Sequence, residues 1–304
     1  MKNKNLFAHV LAILTIIIWG TTYISTKILL KDFSPEEILG YRFFTAFFII
    51  LIIYPKKTEI LPVKEEMLFF LLGATGISLY YWTENLALQY TYASNVGLIA
   101  SAIPIITALI SKFIFNNEKF TINMLAGFVI AIIGISIIIY NGKVLRLNPK
   151  GDLMAIISAI LFSIYSILIK KINVDYSQLF IVRKTFFYGI ITMIPILLIS
   201  KANLLKKPVL NPSIAFNFLF LAAFASVLCF IMWNKSIKII GAVKTTNYIY
   251  FVPLITMISS SIFLKEQISF LMILGGVLIF AGVYVNQRSD ISEEDEVDRL
   301  IQHL

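Results

Sequence analysis

Apolar runs of about twenty residues follow one another along nearly the whole chain, separated by short polar breaks, and this repetition restricts the fold more than any single motif. A helix that crosses a bilayer needs roughly 20 mainly apolar residues, because the hydrocarbon core is about 30 Å thick. Breaking the sequence at clusters of charge, Pro, Gly and Asn gives segments at about 7–29, 36–54, 67–89, 94–115 and 121–140. A second set follows at about 151–171, 177–200, 213–238, 243–264 and 269–286. The connections are short, as at Lys31–Pro35 and Lys265–Ser269, so no soluble catalytic module is inserted. Composition agrees: 59% of residues are apolar and 14% charged, with mean hydropathy +0.86, whereas a soluble domain carries roughly 25% charged residues. The expected fold is an all-α integral membrane protein of about ten transmembrane helices.

The run Phe7–Ile28 follows Lys2 and Lys4 as a secretory signal would, but it is too long and lacks a small-residue cleavage site, so it reads as a helix of the mature protein. The single cysteine, Cys229, excludes a disulfide within one chain. The stretch 289–304 holds six of the seventeen acidic residues and reads as a solvated tail, although Val297, Leu300, Ile301 and Leu304 share one helical face. Orientation follows from Lys and Arg in the loops. With the N-terminus inside, Lys2, Lys4, Lys56, Lys57, Lys64, Lys112 and Lys119 lie on the cytoplasmic side of the first five helices, and only Lys31 lies opposite. The second half shows no such bias, because Lys143, Arg146, Lys150, Lys201, Lys206, Lys207 and Lys265 fall outside. Ten crossings then put both termini in the cytoplasm, with the protein in the cell membrane. No basic helix face with interleaved aromatics stands clear of the membrane, so nucleic acid is not an expected partner.

The two sets of five segments are self-similar. Displacing the second by 141 to 149 positions sets Lys27 on Lys170, Arg42 on Arg183, Asn85 on Asn234, Pro104 on Pro253, Glu118 on Glu266, Gly127 on Gly275 and Gly134 on Gly282. Five crossings are an odd number, so the second copy enters from the opposite side, which also explains the fading charge bias. The chain thus divides into a first repeat at 1–145, a second at 146–288 and the acidic tail at 289–304. Such inverted repeats can be read from either face of the membrane, the basis of alternating access.

The run Asn85-Leu-Ala-Leu-Gln-Tyr-Thr-Tyr-Ala-Ser94, then Ala102-Ile-Pro-Ile-Ile-Thr-Ala-Leu109, Glu118, Gly127 and Gly134, resembles the EamA family of the drug/metabolite transporter superfamily. The echo Asn234-Lys-Ser-Ile237, Gly241-Ala242, Val252-Pro-Leu254, Glu266, Gly275-Gly276 and Gly282 is similar to the family's second copy, and Trp19-Gly20 fits as well. The resemblance reaches from the first helix to Arg288. It implies ten helices around a central cavity lined by helices one to four and six to nine, with the fifth and tenth peripheral. Members of the family export amino acids and other metabolites, while relatives exchange nucleotide sugars or triose phosphates. Phe162-Ser163 stands where the first copy has Trp19-Gly20, so the pocket is asymmetric.

Glu84 is the one carboxylate read as deep within an apolar segment, where a charge is costly enough to mark function. It can bind a substrate amine or carry a coupling proton; the alternative is a structural ion pair with Lys27 or Arg42. Tyr81 shares its helix face. Asn85 and Asn234 offer donor and acceptor to a substrate or to a neighbouring helix. Trp19, Tyr23, Tyr165, Tyr248 and Tyr250 are candidates for an aromatic wall. Pro104 and Pro253 are expected to kink helices four and nine, and the seven-residue glycine spacings invite close helix packing within a monomer or a weak homodimer. Arg42 and Arg183 sit about six residues into helices two and seven. Each either snorkels to the interface or closes one mouth of the cavity.

These residues support a secondary transporter of small metabolites such as amino acids. A membrane enzyme is disfavoured, since His9 and His303 are at the extremities and Glu84 has no carboxylate companion; a Walker loop is missing too. No metal or cofactor is expected, and the partners are a small-molecule substrate and the lipid bilayer. A channel would need a continuous polar stripe.

Overall fold

The computed structural model describes residues 2–56, 59–115, 122–144, 148–172, 175–204, 211–282 and 284–285. Every regular element among them is helical. Helix α1 is Lys2–Leu29 and α2 Pro35–Ile53; α3 (Val63–Gly73) runs through a π-helical stretch, Ala74–Ser78, into α4 (Leu79–Tyr90). Helices α5 (Ala93–Ala100), α6 (Ile103–Phe115) and α7 (Ile122–Val144) complete the first half. The second contains α8 (Pro149–Leu168), α9 (Gln178–Ile199), and α10 (Pro212–Leu219), which passes through the π stretch Phe220–Leu228 into α11 (Cys229–Ile240). Helix α12 (Ala242–Thr246) continues as a 3-10 stretch, Asn247–Phe251, into α13 (Val252–Phe263). The last is α14, Phe270–Gly282.

Helix starts are written locally. Ser34 caps α2 in a full capping box with Glu37, and Pro35 occupies the first turn, where its missing N–H costs nothing. Asn148-Pro149 and Asn211-Pro212 start α8 and α10 in the same way, with the Asn side chain accepting from the helix backbone. Ser177 caps α9.

Among the described residues six helical spans are long and apolar enough to cross a membrane: Asn5–Leu29, Ala93–Ser111, Pro149–Lys171, Gln178–Ile199, Pro212–Ile240 and Ala242–Phe263. Glu36, Glu37 and Arg42 crowd the first two turns of α2, which is not among them. Large apolar side chains such as Phe48, Leu198, Phe216 and Ile262 point outward, as a bilayer allows. Inside, Phe43, Phe162, Phe186, Phe230, Tyr165 and Trp233 are closed off together with Arg42.

The sequence places one unbroken helix over 94–115. Instead, the helix stops at Ala100, turns through Ser101 and Ala102, and restarts at Ile103. Pro104 thus stands in the first turn of a new helix, where proline is tolerated. Pro253 does the same in α13, behind the 3-10 stretch. A third proline, Pro195, lies inside α9.

The glycine stripes are used within one chain. A Cβ on Gly134 would lie 2.6 Å from the Gly275 carbonyl oxygen, and one on Gly282 would lie 2.4 Å from that of Gly127, so α7 and α14 touch backbone to backbone. The obstacle is main chain and cannot rotate away. Gly134→Ala is therefore expected to destabilise the protein by about 1–3 kcal/mol, read as a lower thermal midpoint of the detergent-solubilised protein. A midpoint equal to wild type would show that α7 and α14 separate freely.

Candidate functional site

A small cavity lies where the two broken helices meet α1, α4 and α8. It is lined by Trp19, Thr22 and Tyr23 of α1, Tyr80, Tyr81 and Glu84 of α4, Ala100 and Ile103 at the first break, Phe162 of α8, and Ile249 and Val252 at the second. The registers read from the sequence relate these walls. Trp19 and Phe162 correspond, as do Ala100 and Ile249, and Ile103 and Val252. Thr22, Tyr23, Tyr80, Tyr81 and Glu84 have no lining counterpart; their equivalents are Tyr165, Ser166, Cys229, Phe230 and Trp233. Room for the centre of a water-sized sphere amounts to about 20 Å³, space for roughly one water and far less than a metabolite needs.

Glu84 is 3% exposed, and its Oε1 accepts from the Tyr80 hydroxyl at 2.6 Å. Glu84 is held by a phenol, and neither Lys27 nor Arg42 lies within 4.0 Å of it as an ion-pair partner. Tyr81 packs edge-on against Tyr80 at 4.5 Å between ring centroids. On Tyr81's face lies Arg42, its guanidinium carbon 3.9 Å from the ring centroid. Arg42 Nε donates to Ser226 Oγ at 2.8 Å, and Arg42 is 1% exposed. This burial overturns snorkelling: protein from all sides separates the charge from any interface.

The π stretches explain part of this arrangement. In the register that pairs Asn85 with Asn234, Ala74–Ser78 falls on 223–227, within the second π stretch. Widened turns of this kind free carbonyls and recur at functional sites. Ala225 O accepts from Trp19 Nε1 at 2.9 Å, and Ser226 receives Arg42. In the first stretch, Gly76 lets the Tyr165 ring approach so closely that a Cβ would lie 2.2 Å from it, and Ser78 bonds Thr192 of α9 at 2.8 Å.

Other candidates lie outside the cavity wall. Tyr165 donates to Asn234 Oδ1 at 2.6 Å, behind Phe162 and Phe230. Asn85 ties α4 to the Pro35 carbonyl at 3.0 Å. Tyr248 faces His9, with 2.7 Å between its hydroxyl and Nδ1. Tyr250 is buried beside Ile105 and Ala131. Glu118, Lys57, Lys119, Arg146, Lys206, Lys207, Arg288 and the acidic tail lie outside the described residues.

Polar networks close both ends of the bundle. The α3–α4 rod spans 28 residues, about 42 Å, and each network sits at one end of it. At the Tyr90 end, the Glu266 carboxylate accepts from the N–H groups of Ala93 (2.9 Å) and Ser94 (3.2 Å) and from Ser94 Oγ (2.8 Å). Anionic capping of a helix N-terminus suits its exposed donors and dipole. Nearby, buried Asp152 accepts from Thr91 Oγ1 at 3.1 Å. At the Val63 end, Lys184 Nζ donates to Glu66 Oε1 (2.7 Å) and Glu59 O (2.9 Å), and Tyr188 donates to Glu66 Oε2 (2.5 Å). Arg183 donates to the carbonyls of Tyr54 (2.8 Å) and Lys56. Tyr176 donates to Glu65 at 2.7 Å, and that carboxylate holds its phenol above the usual value.

Sequence reasoning placed Tyr80 beside Tyr81 on the helix face of Glu84 without assigning it a role, and missed Ser226, Asp152, Glu66 and Lys184. Asp152 and Glu66 look like ordinary first-turn acids, favourable at any helix start.

Comparison with known proteins fits this architecture. Residues 6–140 and 149–287 each match the EamA-like transporter family. An uncharacterized transporter of Archaeoglobus fulgidus is 28% identical over 91% of this chain and 96% of its own length. A probable terminal-alkyne amino-acid exporter of Streptantibioticus cattleyicolor is 21% identical, covering 93% of this chain and 94% of that one. A crystal structure of a protein 18% identical superposes with TM-score 0.62 over 92% of this chain and 96% of that one, a likeness of fold. The chain belongs to the EamA-like transporter family of the drug/metabolite transporter superfamily and is an integral membrane protein.

Proposed function

We propose that this protein is a secondary transporter that exports small metabolites, amino acids being the first class to test, by alternating access. The observation that carries this reading is the small cavity whose lining includes three corresponding pairs from the two halves, with Glu84 as its one charged wall residue. A cavity with space for roughly one water has to open before a metabolite can enter. Polar closures at both ends give the chain two places to open. In this reading the ten apolar segments form two inverted five-helix repeats at 1–145 and 146–288, both termini are cytoplasmic, and the membrane is that of the cell. Arg183, anchored on main-chain carbonyls, closes the cytoplasmic mouth. Arg42 is anchored on Ser226 instead and has no such role. The resemblance to a probable amino-acid exporter supports the substrate class. A carrier is favoured over a membrane enzyme because Glu84 lacks the second acid, base or metal that such chemistry needs.

Counterflow in proteoliposomes tests the carrier. Vesicles loaded with a mixture of unlabelled amino acids are expected to accumulate at least one labelled counterpart transiently above equilibrium. A pore gives only equilibration, and the absence of any overshoot across the amino acids would remove this substrate class.

Glu84→Gln keeps the side chain's size and the Tyr80 contact while removing its charge. Exchange is expected to fall about tenfold or more at neutral pH, with a flattened pH profile, because the amine or proton that Glu84 binds loses its counter-charge. Wild-type exchange at every pH, from protein with a wild-type thermal midpoint, would leave Glu84 a packing role.

Topology is checked by reporter fusions. A reporter after residue 304 is expected to be active as a cytoplasmic fusion, and one in the loop 143–150 as an external fusion. The reverse pattern would invert the orientation.

A further inference from the structure

Arg42 is a charge without a matching partner. It is 1% exposed, no carboxylate lies within ion-pairing distance among the described residues, and its Nη2 has no hydrogen-bond partner there. Its contacts are Ser226 on Nε, the Tyr81 ring at 3.9 Å and the Phe43 ring at 5.3 Å from the guanidinium carbon. Burying a guanidinium while leaving a donor unused is costly, and a chain whose only task here was packing would satisfy it or replace it. The residue at the matching place in the other half, Arg183, has main-chain carbonyls on Nη1.

The position of Arg42 suggests where the missing partner comes from. Tyr81 forms part of the cavity wall, and Arg42 stacks on its ring. Glu84 lies one helical turn from Tyr81 on α4, and both line the same cavity. One cavity thus has a carboxylate at its surface and a guanidinium behind a single phenol ring. Aromatic side chains turn about two torsions, so moving Tyr81 is a small change compared with moving a helix.

We propose that Arg42 recognises the anionic end of the substrate, and that the Tyr81 ring covers it in the conformation seen here. The substrate then carries a cationic group for Glu84 and a carboxylate for the forked guanidinium, whose paired donors match carboxylate geometry. This assignment rests on the transporter reading above and goes further by naming the group that selects for the anion.

The test is binding to purified full-length protein in lipid nanodiscs, followed by thermal midpoint and by tryptophan fluorescence, since Trp19 lines the cavity. The probes are leucine, phenylalanine and threonine, each as the free amino acid, the carboxamide that lacks the anion, and the desamino acid that lacks the cation. Wild type is expected to bind at least one free amino acid about tenfold or more tighter than its carboxamide, the scale of one charge-assisted hydrogen bond. Arg42→Gln should erase that preference while leaving the carboxamide affinity within about twofold, and Arg42→Lys should restore part of it. If Arg42→Gln does not fold, the Arg42→Lys and wild-type data decide: loss of the fork with retained charge should narrow the ratio of free acid to carboxamide. A preference that survives in Arg42→Gln or is unchanged in Arg42→Lys, or wild-type protein that binds carboxamide as tightly as free acid, overturns the assignment of Arg42 while the carrier stands on counterflow. Failure of every probe to bind, together with absent counterflow, overturns both.

Discussion

In the hydrocarbon of a bilayer there is no water to satisfy a peptide group, so a helix can be broken there only where other protein atoms or a polar cavity supply the missing bonds. Much of this structure follows from that constraint. The interruptions at Ser101–Ala102 and Asn247–Phe251, and the π stretches at Ala74–Ser78 and Phe220–Leu228, each bury part of their residues against neighbouring helices, while Phe224, Leu228 and Phe251 point outward. Their loosened backbone is bonded by side chains: Ser163 donates to Ile103 O at 3.2 Å, and Trp19 to Ala225 O at 2.9 Å. The cavity forms where two of the breaks meet. Irregular backbone and binding site are therefore consequences of one geometric requirement.

Charge obeys the same rule. Glu66, Glu266 and Asp152 are acids at the two ends of the bundle, and each is bonded to specific donors. Those bonds join helices that come from different halves: Glu266 reaches α5 from beyond α13, and Lys184 of α9 reaches Glu66 of α3. Each network thus links elements from both halves of the chain, and the alternating access proposed above requires one of them to break while the other holds.

The apolar segments were legible as an all-helical membrane protein because a bilayer imposes length and hydrophobicity on each span, and both are local properties of sequence; six of the spans meet those demands among the described residues. The breaks were not. Nothing in Ala93–Ser111 differs in composition from a continuous helix, and Pro104 alone does not say whether a helix bends or ends. Of the site, Trp19, Tyr23, Tyr81 and Glu84 were legible as aromatic and acidic residues amid apolar ones, and they line the cavity. Tyr165, Tyr248, Asn85 and Asn234 carry the same chemical signal but spend it on other side chains and on main chain, a distinction set by packing that spacing does not encode. Arg42 was legible as a buried-charge problem, yet its orientation depends on Ser226, 184 residues away, and on a π turn that no propensity scale marks.

The remaining feature is asymmetry within near-symmetry. Walls of Trp19 and Phe162, Ala100 and Ile249, and Ile103 and Val252 are paired across the two halves, and apolar pairs of this kind can exchange roles when the bundle changes state. A charge cannot be shared in that way. Were a second carboxylate present at Trp233, the position matching Glu84, the two would repel in a site with little water to screen them. Trp233 instead packs 4.9 Å from Trp19 between ring centroids, filling the place with an aromatic ring. In the transport reading proposed above, one half of the molecule supplies the ionic recognition, on α2 and α4, while the other supplies apolar surface on α8 and the hydroxyl of Ser226 bonded to Arg42. In that reading, the difference between the halves at Glu84 and Arg42 gives a bound molecule a single orientation.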